Sequence, residues 1–251
     1  VGSPRYVDLT NPENDVVPVV HSGTSVHKLV VVANTHDEFF QWGDVKTIDK
    51  LKTVTKAIAK ESDCHTSVND LMMSGVFESV MDETTELNVR LYRNIVKLTL
   101  NIDNVVTSGL TLVSAQVYNV PAAMSYADRV FGSSEGIYPE LETVSYIDYP
   151  AEDFISNPGE TKTMTWYMPR NEMGVTASTE SKQKNNFAPS NATLIKLVAK
   201  DADGYATVFS FYPGANMRND HNLTPNKHYI VDIKLTGKGD PEQDSRIEDM
   251  G

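Results

Sequence analysis

Residues 28–34, Lys28 to Asn34, read KLVVVAN: a lysine, five apolar residues and an asparagine. A short continuous apolar run rich in β-branched valine predicts a strand buried on both faces. On its N-terminal side, Pro4, Pro12 and Pro18 stand among asparagine and aspartate, so residues 1–24 read as extended chain with turns. Within them VVPVV (16–20) fits an edge strand, where proline is tolerated. On its C-terminal side, residues 44–60 place Ile48, Leu51, Val54, Thr55 and Ile58 at helical spacing with lysines opposite. That segment is the one helix the pattern predicts, with Asp44 or Thr47 as its cap.

From Leu87 onward the period becomes two. Val96, Leu98, Leu100 and Ile102 alternate with Lys97, Thr99 and Asn101, as in a half-buried strand. Residues 110–120 follow a Thr-Ser-Gly turn, which predicts an antiparallel hairpin with that strand. The weakly patterned stretch 121–139 leads to the expected boundary between an N-terminal domain (1–140) and a C-terminal domain (141–251). Beyond it, 143–149 and 161–167 are strand candidates, and the polar stretch 170–191 reads as a long surface loop. Residues 194–199 and 205–212 flank Asp201-Ala202-Asp203-Gly204, a hairpin signal because Asp-Gly supplies the positive φ of a tight turn. Tyr229, Val231, Ile233 and Leu235 alternate in a last half-buried strand. Strands recurring at turn-punctuated intervals around a single helix predict a mainly β chain of two β-sandwiches.

The 251 residues suffice for one large or two modest cores, and 40% hydrophobic content is that of an ordinary globular chain. No apolar run reaches membrane-spanning length. A formal net charge of −12 argues against nucleic acid, which needs a basic surface. Cys64 is the single cysteine, so neither an internal disulfide nor a thiolate metal cluster can form. Cys64 stands next to His65, but adjacent residues rarely aim at one another, and the pair reads as an incidental thiol. Asp201-Ala202-Asp203-Gly204 lacks the later oxygen ligands of a calcium loop, and His27, His221 and His228 follow no zinc spacing. Asp82-Glu83 is a pair any acidic chain contains, and no phosphate loop or nucleophile elbow is present. Asn191-Ala-Thr and Asn222-Leu-Thr fit the N-glycosylation sequon, a pattern that arises often by chance. Trp166, Tyr167 and the aromatics of 205–212 read as core, with a sugar-stacking platform as the other use of such residues. No catalytic, cofactor or metal site is expected.

An ordered set of segments carries more. KLVVVAN ends as V-x-A-N, the helix 44–60 follows, then LMMSG (71–75) with Met73-Ser74, then RNIVKLTLNI (93–102). WYMPRN (166–171), FYPGAN (211–216) and NKHYIVDIKLTG (226–237) complete it. In this order they resemble the fimbrillin family, the subunits of type V pili on Gram-negative anaerobes, across roughly residues 28–237. Val96 stands where the family often has alanine, and Pro225 where it has arginine, a change suited to a strand entrance.

The resemblance implies two transthyretin-like β-sandwich domains with one helix in the N-terminal domain. It implies a lipoprotein precursor, exported through the outer membrane to the cell surface and trimmed after an arginine. Subunits of that kind polymerise by donor-strand exchange, so the implied partners are other fimbrial subunits and host or bacterial surface ligands. The segment after Gly237, KGDPEQDSRIEDMG, is polar and acidic and makes a poor donor strand, and little sheet is expected before Leu29. A chain that accepts a strand without donating one is expected at an end of a filament, as an accessory, tip or anchor subunit. The alternative is a surface glycan-binding module on the same kind of sandwich, which predicts an exposed aromatic cluster or a bound cation. A secreted hydrolase is disfavoured, because no nucleophile or metal set is assembled.

Overall fold

The computed structural model describes residues 26–35, 45, 47, 50–51, 53–65, 70–80, 88–127 and 145–238. Its strands begin with β1 (Val26–Ala33), β2 (Thr55–Ala57), β3 (Met73–Val80), β4 (Tyr92–Arg93) and β5 (Val96–Asn104). Next come β6 (Thr111–Tyr118), β7 (Val120–Pro121), β8 (Ala123–Ser125), β9 (Tyr146–Ile147) and β10 (Glu152–Ser156). The chain closes with β11 (Thr161–Met168), β12 (Asn171–Val175), β13 (Leu194–Lys200), β14 (Ala206–Phe211), β15 (Asp220–Leu223) and β16 (His228–Leu235). Short 3-10 segments interrupt them at η1 (Glu61–Cys64), η2 (Val106–Ser108) and η3 (Ser181–Phe187).

The alternating pattern of β5 places Val96, Leu98 and Leu100 at 0% exposure on one face. β5 is the middle of a three-stranded sheet, antiparallel to β11 and parallel to β16 from His228↔Lys97 to Leu235↔Asn104. β16 alternates as expected, with Tyr229, Val231, Ile233 and Leu235 buried. A second sheet runs β10-β6-β13-β14. Its Leu112, Val117, Ile195 and Leu197 join Leu98, Leu100 and Trp166 in one hydrophobic cluster between the sheets. Burying each such aliphatic side chain contributes roughly 1.5–3 kcal/mol. The β13–β14 hairpin forms as expected, from Ile195↔Phe211 to Lys200↔Ala206, and Gly204 takes φ +85° in its turn.

The chain departs from expectation in two stretches. β5 and β6 do not pair as a hairpin; they lie in opposite sheets. Asn104 makes the corner: its Nδ2 donates to the carbonyls of Leu110 (2.9 Å) and Ser156 (3.0 Å), while Ser108 Oγ donates to its Oδ1 (2.6 Å). Those bonds satisfy the backbone that a hairpin ladder would otherwise have served. β5 and β6 also pair with strands that begin at residue 152 or later, while the expected boundary at 140/141 lies outside the described residues. Stretch 170–191, read as a surface loop, contains β12, η3 and the buried Asn171, Ser178 and Lys184. Its polarity is consumed internally, since Asn171 Nδ2 donates to Asn119 O, Asn191 O and Thr193 Oγ1 at 2.8–3.2 Å.

The helix is shorter than its pattern. Thr47 caps it, Oγ1 accepting from Lys50 N at 3.0 Å, and Leu51 N donates to Thr47 O in an i→i−4 bond. By Thr55 the backbone is extended and pairs with β8, from Thr55↔Ser125 to Ala57↔Ala123. Val54 and Ile58, four apart, bury themselves in the main core from that extended segment. Pairing with a distant strand here overrides a local helical preference worth only tenths of a kcal/mol per residue.

β1, β3 and β4 form a separate three-stranded sheet. Gly75 of the LMMSG segment sits in β3 where a Cβ would run into the carbonyl oxygen of Arg90. Asn94 ties this sheet to the sandwich: Ser74 Oγ donates to its Oδ1 (2.8 Å), and its Nδ2 donates to Ser125 O (3.2 Å) and Tyr126 O (2.9 Å).

Candidate functional site

β1 pairs antiparallel with β3 from Val26↔Val80 to Ala33↔Met73, without a bulge. Among the described residues its other edge has no partner strand. Cover on both faces was expected for Leu29 to Ala33; instead all five are only half-buried. Val30 packs against a small cluster of Leu51 and Ala127, and Val32 against the main core. The alternate residues Leu29, Val31 and Ala33 point to the other face, beside Phe77 and Met73 of β3, and none of these five belongs to either core cluster. Among the described residues, the ribbon thus presents an apolar face next to an unpaired row of N–H and C=O groups. Natural edge strands are guarded by proline, charge or bulges. Leu29 to Ala33 has none of the three.

The asparagines of the motif segments hold this geometry, and the sequence reading passed over them. Asn34 ends β1 at φ +57° and donates Nδ2 to Leu71 O at 3.0 Å. Asn226 takes φ +60° before β16, donates its N–H to Ile95 O, and accepts from Arg93 N through Oδ1. Asparagine enters the left-handed region more readily than other non-glycine residues because its short amide bonds locally. The available signal was positional: an asparagine sits in each quoted segment except LMMSG.

The candidate chemistry is not assembled. Cys64 is buried, its Sγ 3.4 Å from Tyr149 Oη, and burial pushes the thiol up to about 12, so it stays protonated. His65 turns to Glu61 instead (Nε2 to Oε1, 2.9 Å) and lies edge-on to Tyr167. His228 bonds Thr99 Oγ1 at 2.8 Å, while His221 stacks edge-on to Tyr212. His27 lies in β1 opposite Ser79. No cluster of three or more metal-ligating His, Cys, Asp or Glu residues occurs among the described residues. Asp201 Oδ1 accepts from the N–H groups of Asp203 and Tyr205 and its Oδ2 faces Lys238, which makes a hairpin turn. Asn222 of the second sequon spends its amide on Gly174 N and Asp220, while Asn191 of the first is exposed. Trp166, Tyr167 and Phe211 are core, Phe209 and Tyr212 are half-buried, and Tyr205 is 73% exposed. Asp82-Glu83 lies outside the described residues. No helix among the described residues is long and apolar enough to cross a membrane.

A family model described as a domain of unknown function, DUF4906, matches residues 166–233. Comparison with curated proteins gives no match. Among solved structures, the tip fimbrial protein Mfa3 from Porphyromonas gingivalis, with a C-terminal truncation, aligns at TM-score 0.53 and 16% identity over 82% of this chain and 75% of that one. A candidate cell adhesion protein from Parabacteroides distasonis aligns at TM-score 0.53 and 14% identity, over 88% of this chain and 79% of that one. Another from Bacteroides eggerthii gives 0.52 and 14%, over 89% and 74%. At these identities the likeness is one of fold: this chain has the β-sandwich architecture of those fimbrial and candidate adhesion proteins.

Proposed function

We propose that this chain is a structural subunit of a cell-surface fimbrium, an accessory, tip or anchor component that contributes to adhesion. It joins a neighbouring subunit by accepting an extended segment along β1. The observation that carries this reading is β1 itself, an apolar strand with one edge unpaired among the described residues, whose last five residues, Leu29 to Ala33, are half-buried. The fold shared with a tip fimbrial protein supports it.

The physics is that of β-augmentation. An added strand pairs with the free N–H and C=O groups of β1, and its alternate side chains cover Leu29, Val31 and Phe77. Each backbone hydrogen bond contributes about 0.5–1.5 kcal/mol net. The apolar face adds burial, so the joint dissociates slowly. In this reading the partners are other fimbrial subunits and, at an exposed end, host or bacterial surface ligands.

Peptides copied from the C-terminal strands of fimbrial stalk subunits test the reading. Mixed with this chain, one of them is expected to slow hydrogen exchange at the amides of Leu29–Ala33 and to yield an SDS-resistant complex. Unchanged exchange at β1 with every such peptide would overturn strand acceptance there.

A further inference from the structure

Lys184, in η3, is only 1% exposed. Its Nζ donates to the main-chain oxygen of Asn216 at 2.7 Å, and it forms no ion pair among the described residues. Burial pulls its pKa down to about 8, with Asp220 acting in the opposite sense. About a tenth of such a lysine is free amine at pH 7. A buried ammonium with one acceptor is costly, and a buried free amine is a nucleophile.

The residue it touches is arranged as an electrophile. Asn216 Oδ1 accepts from the N–H groups of Arg218 (2.8 Å), Asn219 (3.0 Å) and Asp220 (3.4 Å). Converging main-chain donors on one carbonyl oxygen polarise it and are placed to hold negative charge as it develops. Gly214 permits the tight loop, since a Cβ there would strike the carbonyl oxygen of Asp220. His221 completes the cluster. It is 2% exposed, both ring nitrogens are buried without a hydrogen-bond partner, and both Lys184 and Asp220 act on its charge. Burial holds its pKa near about 4, so the ring is neutral and adds no second positive charge beside the amine.

We propose that Lys184 and Asn216 join through an intramolecular isopeptide bond. The lone pair of neutral Nζ attacks Cγ of Asn216, and the charge that forms on Oδ1 rests on the three main-chain amides. The proton released by Nζ moves to Nδ2. The Cγ–Nδ2 bond then breaks and ammonia leaves, with no oxidant, reductant or cofactor. The main-chain oxygen and Cγ of one asparagine lie about 3–4 Å apart by covalent geometry, so the amine starts within a few ångström of Cγ and closes by side-chain torsions. The bond pins the loop between β14 and β15 to η3, and it removes the uncompensated charge. It does not depend on the fimbrial reading.

Intact-mass measurement of the denatured full chain tests it. The wild type is expected about 17 Da below its sequence mass, one ammonia lighter, while Lys184→Arg and Asn216→Ala appear at theirs. Trypsin should then release residues 183–196 covalently joined to 201–218, because an acylated Lys184 resists cleavage. A wild-type mass equal to the sequence overturns the bond. So does a loss of about 17 Da confined to one linear peptide, the mark of a succinimide. The decisive measurement is on the wild type, so it stands even if a variant fails to fold.

Discussion

β1 and β5 are both apolar strands in this molecule, yet Val96, Leu98 and Leu100 of β5 are at 0% exposure while Leu29 to Ala33 of β1 stay half-buried. β5 has a strand on each edge and a second sheet across its inner face. Among the described residues, β1 has a strand on one edge and a small cluster beneath Val30. Hydrophobicity along a strand therefore does not set its burial; what lies opposite and alongside does. In β5 the neighbours come from β11, β16 and the second sheet; in the proposed assembly, part of the cover of β1 comes from a neighbouring subunit.

The largest test of that contrast is truncation on each side. Trp166→Ala, in the sandwich core, is expected to lower stability by about 3–5 kcal/mol. Val31→Ala, on the open face of β1, should lower it by about 1 kcal/mol or less. Urea denaturation of the two variants reads the difference, and equal losses would break the comparison. Asn94→Ala comes next. It strips hydrogen bonds to Ser74, Ser125 and Tyr126 that link the β1–β3–β4 sheet to the sandwich. Losing these three buried hydrogen bonds should destabilise by about 2–3 kcal/mol. If the loss instead stays under about 0.5 kcal/mol, the two regions do not fold as one unit.

Much of the sandwich was legible in the residues because its signals are local. Period-two alternation gave β5 and β16, and Asp-Gly gave the β13–β14 hairpin. The helix end was illegible, because Val54 and Ile58 fit a helical stripe and an extended segment equally, and the choice is made by β8 far along the chain. The Thr-Ser-Gly turn failed for the same reason. It reads as a hairpin until Asn104 reaches Ser156 and turns it into a corner. At the candidate site, KLVVVAN was readable as a strand, but its exposure was not, since exposure depends on which neighbours are present. The structural asparagines escaped notice because that residue is common in ordinary turns.

The sandwich also carries a titration. His221 has its pKa lowered from 6.5 to about 4, by burial first and then by Lys184. Between those values the unfolded chain binds more protons than the folded one, so stability falls as pH drops from 6.5 towards 4 and is full above 6.5. The expected loss is on the order of 3 kcal/mol across that window. His221→Gln should flatten this limb of the melting temperature against pH relative to wild type. An unchanged slope would show that the ring does not titrate with unfolding.

The smallest effect is expected within β16, where neighbouring residues carry the contrast to its finest scale. Ile230 is 57% exposed and Val231 6%, and they face opposite sides of one strand. Ile230→Thr keeps a β-branched side chain on the outer face beside Thr99, so stability should change by no more than about 0.5 kcal/mol. Val231→Thr places a hydroxyl in the core without a partner and should cost about 1–3 kcal/mol. Chemical denaturation of the pair separates intrinsic strand propensity, which barely differs, from burial, which differs almost completely. A loss at Ile230 as large as at Val231 would mean that the outer face of β16 is covered in solution. The same covering would then have to be sought at β1, whose half-buried residues lie between these two extremes.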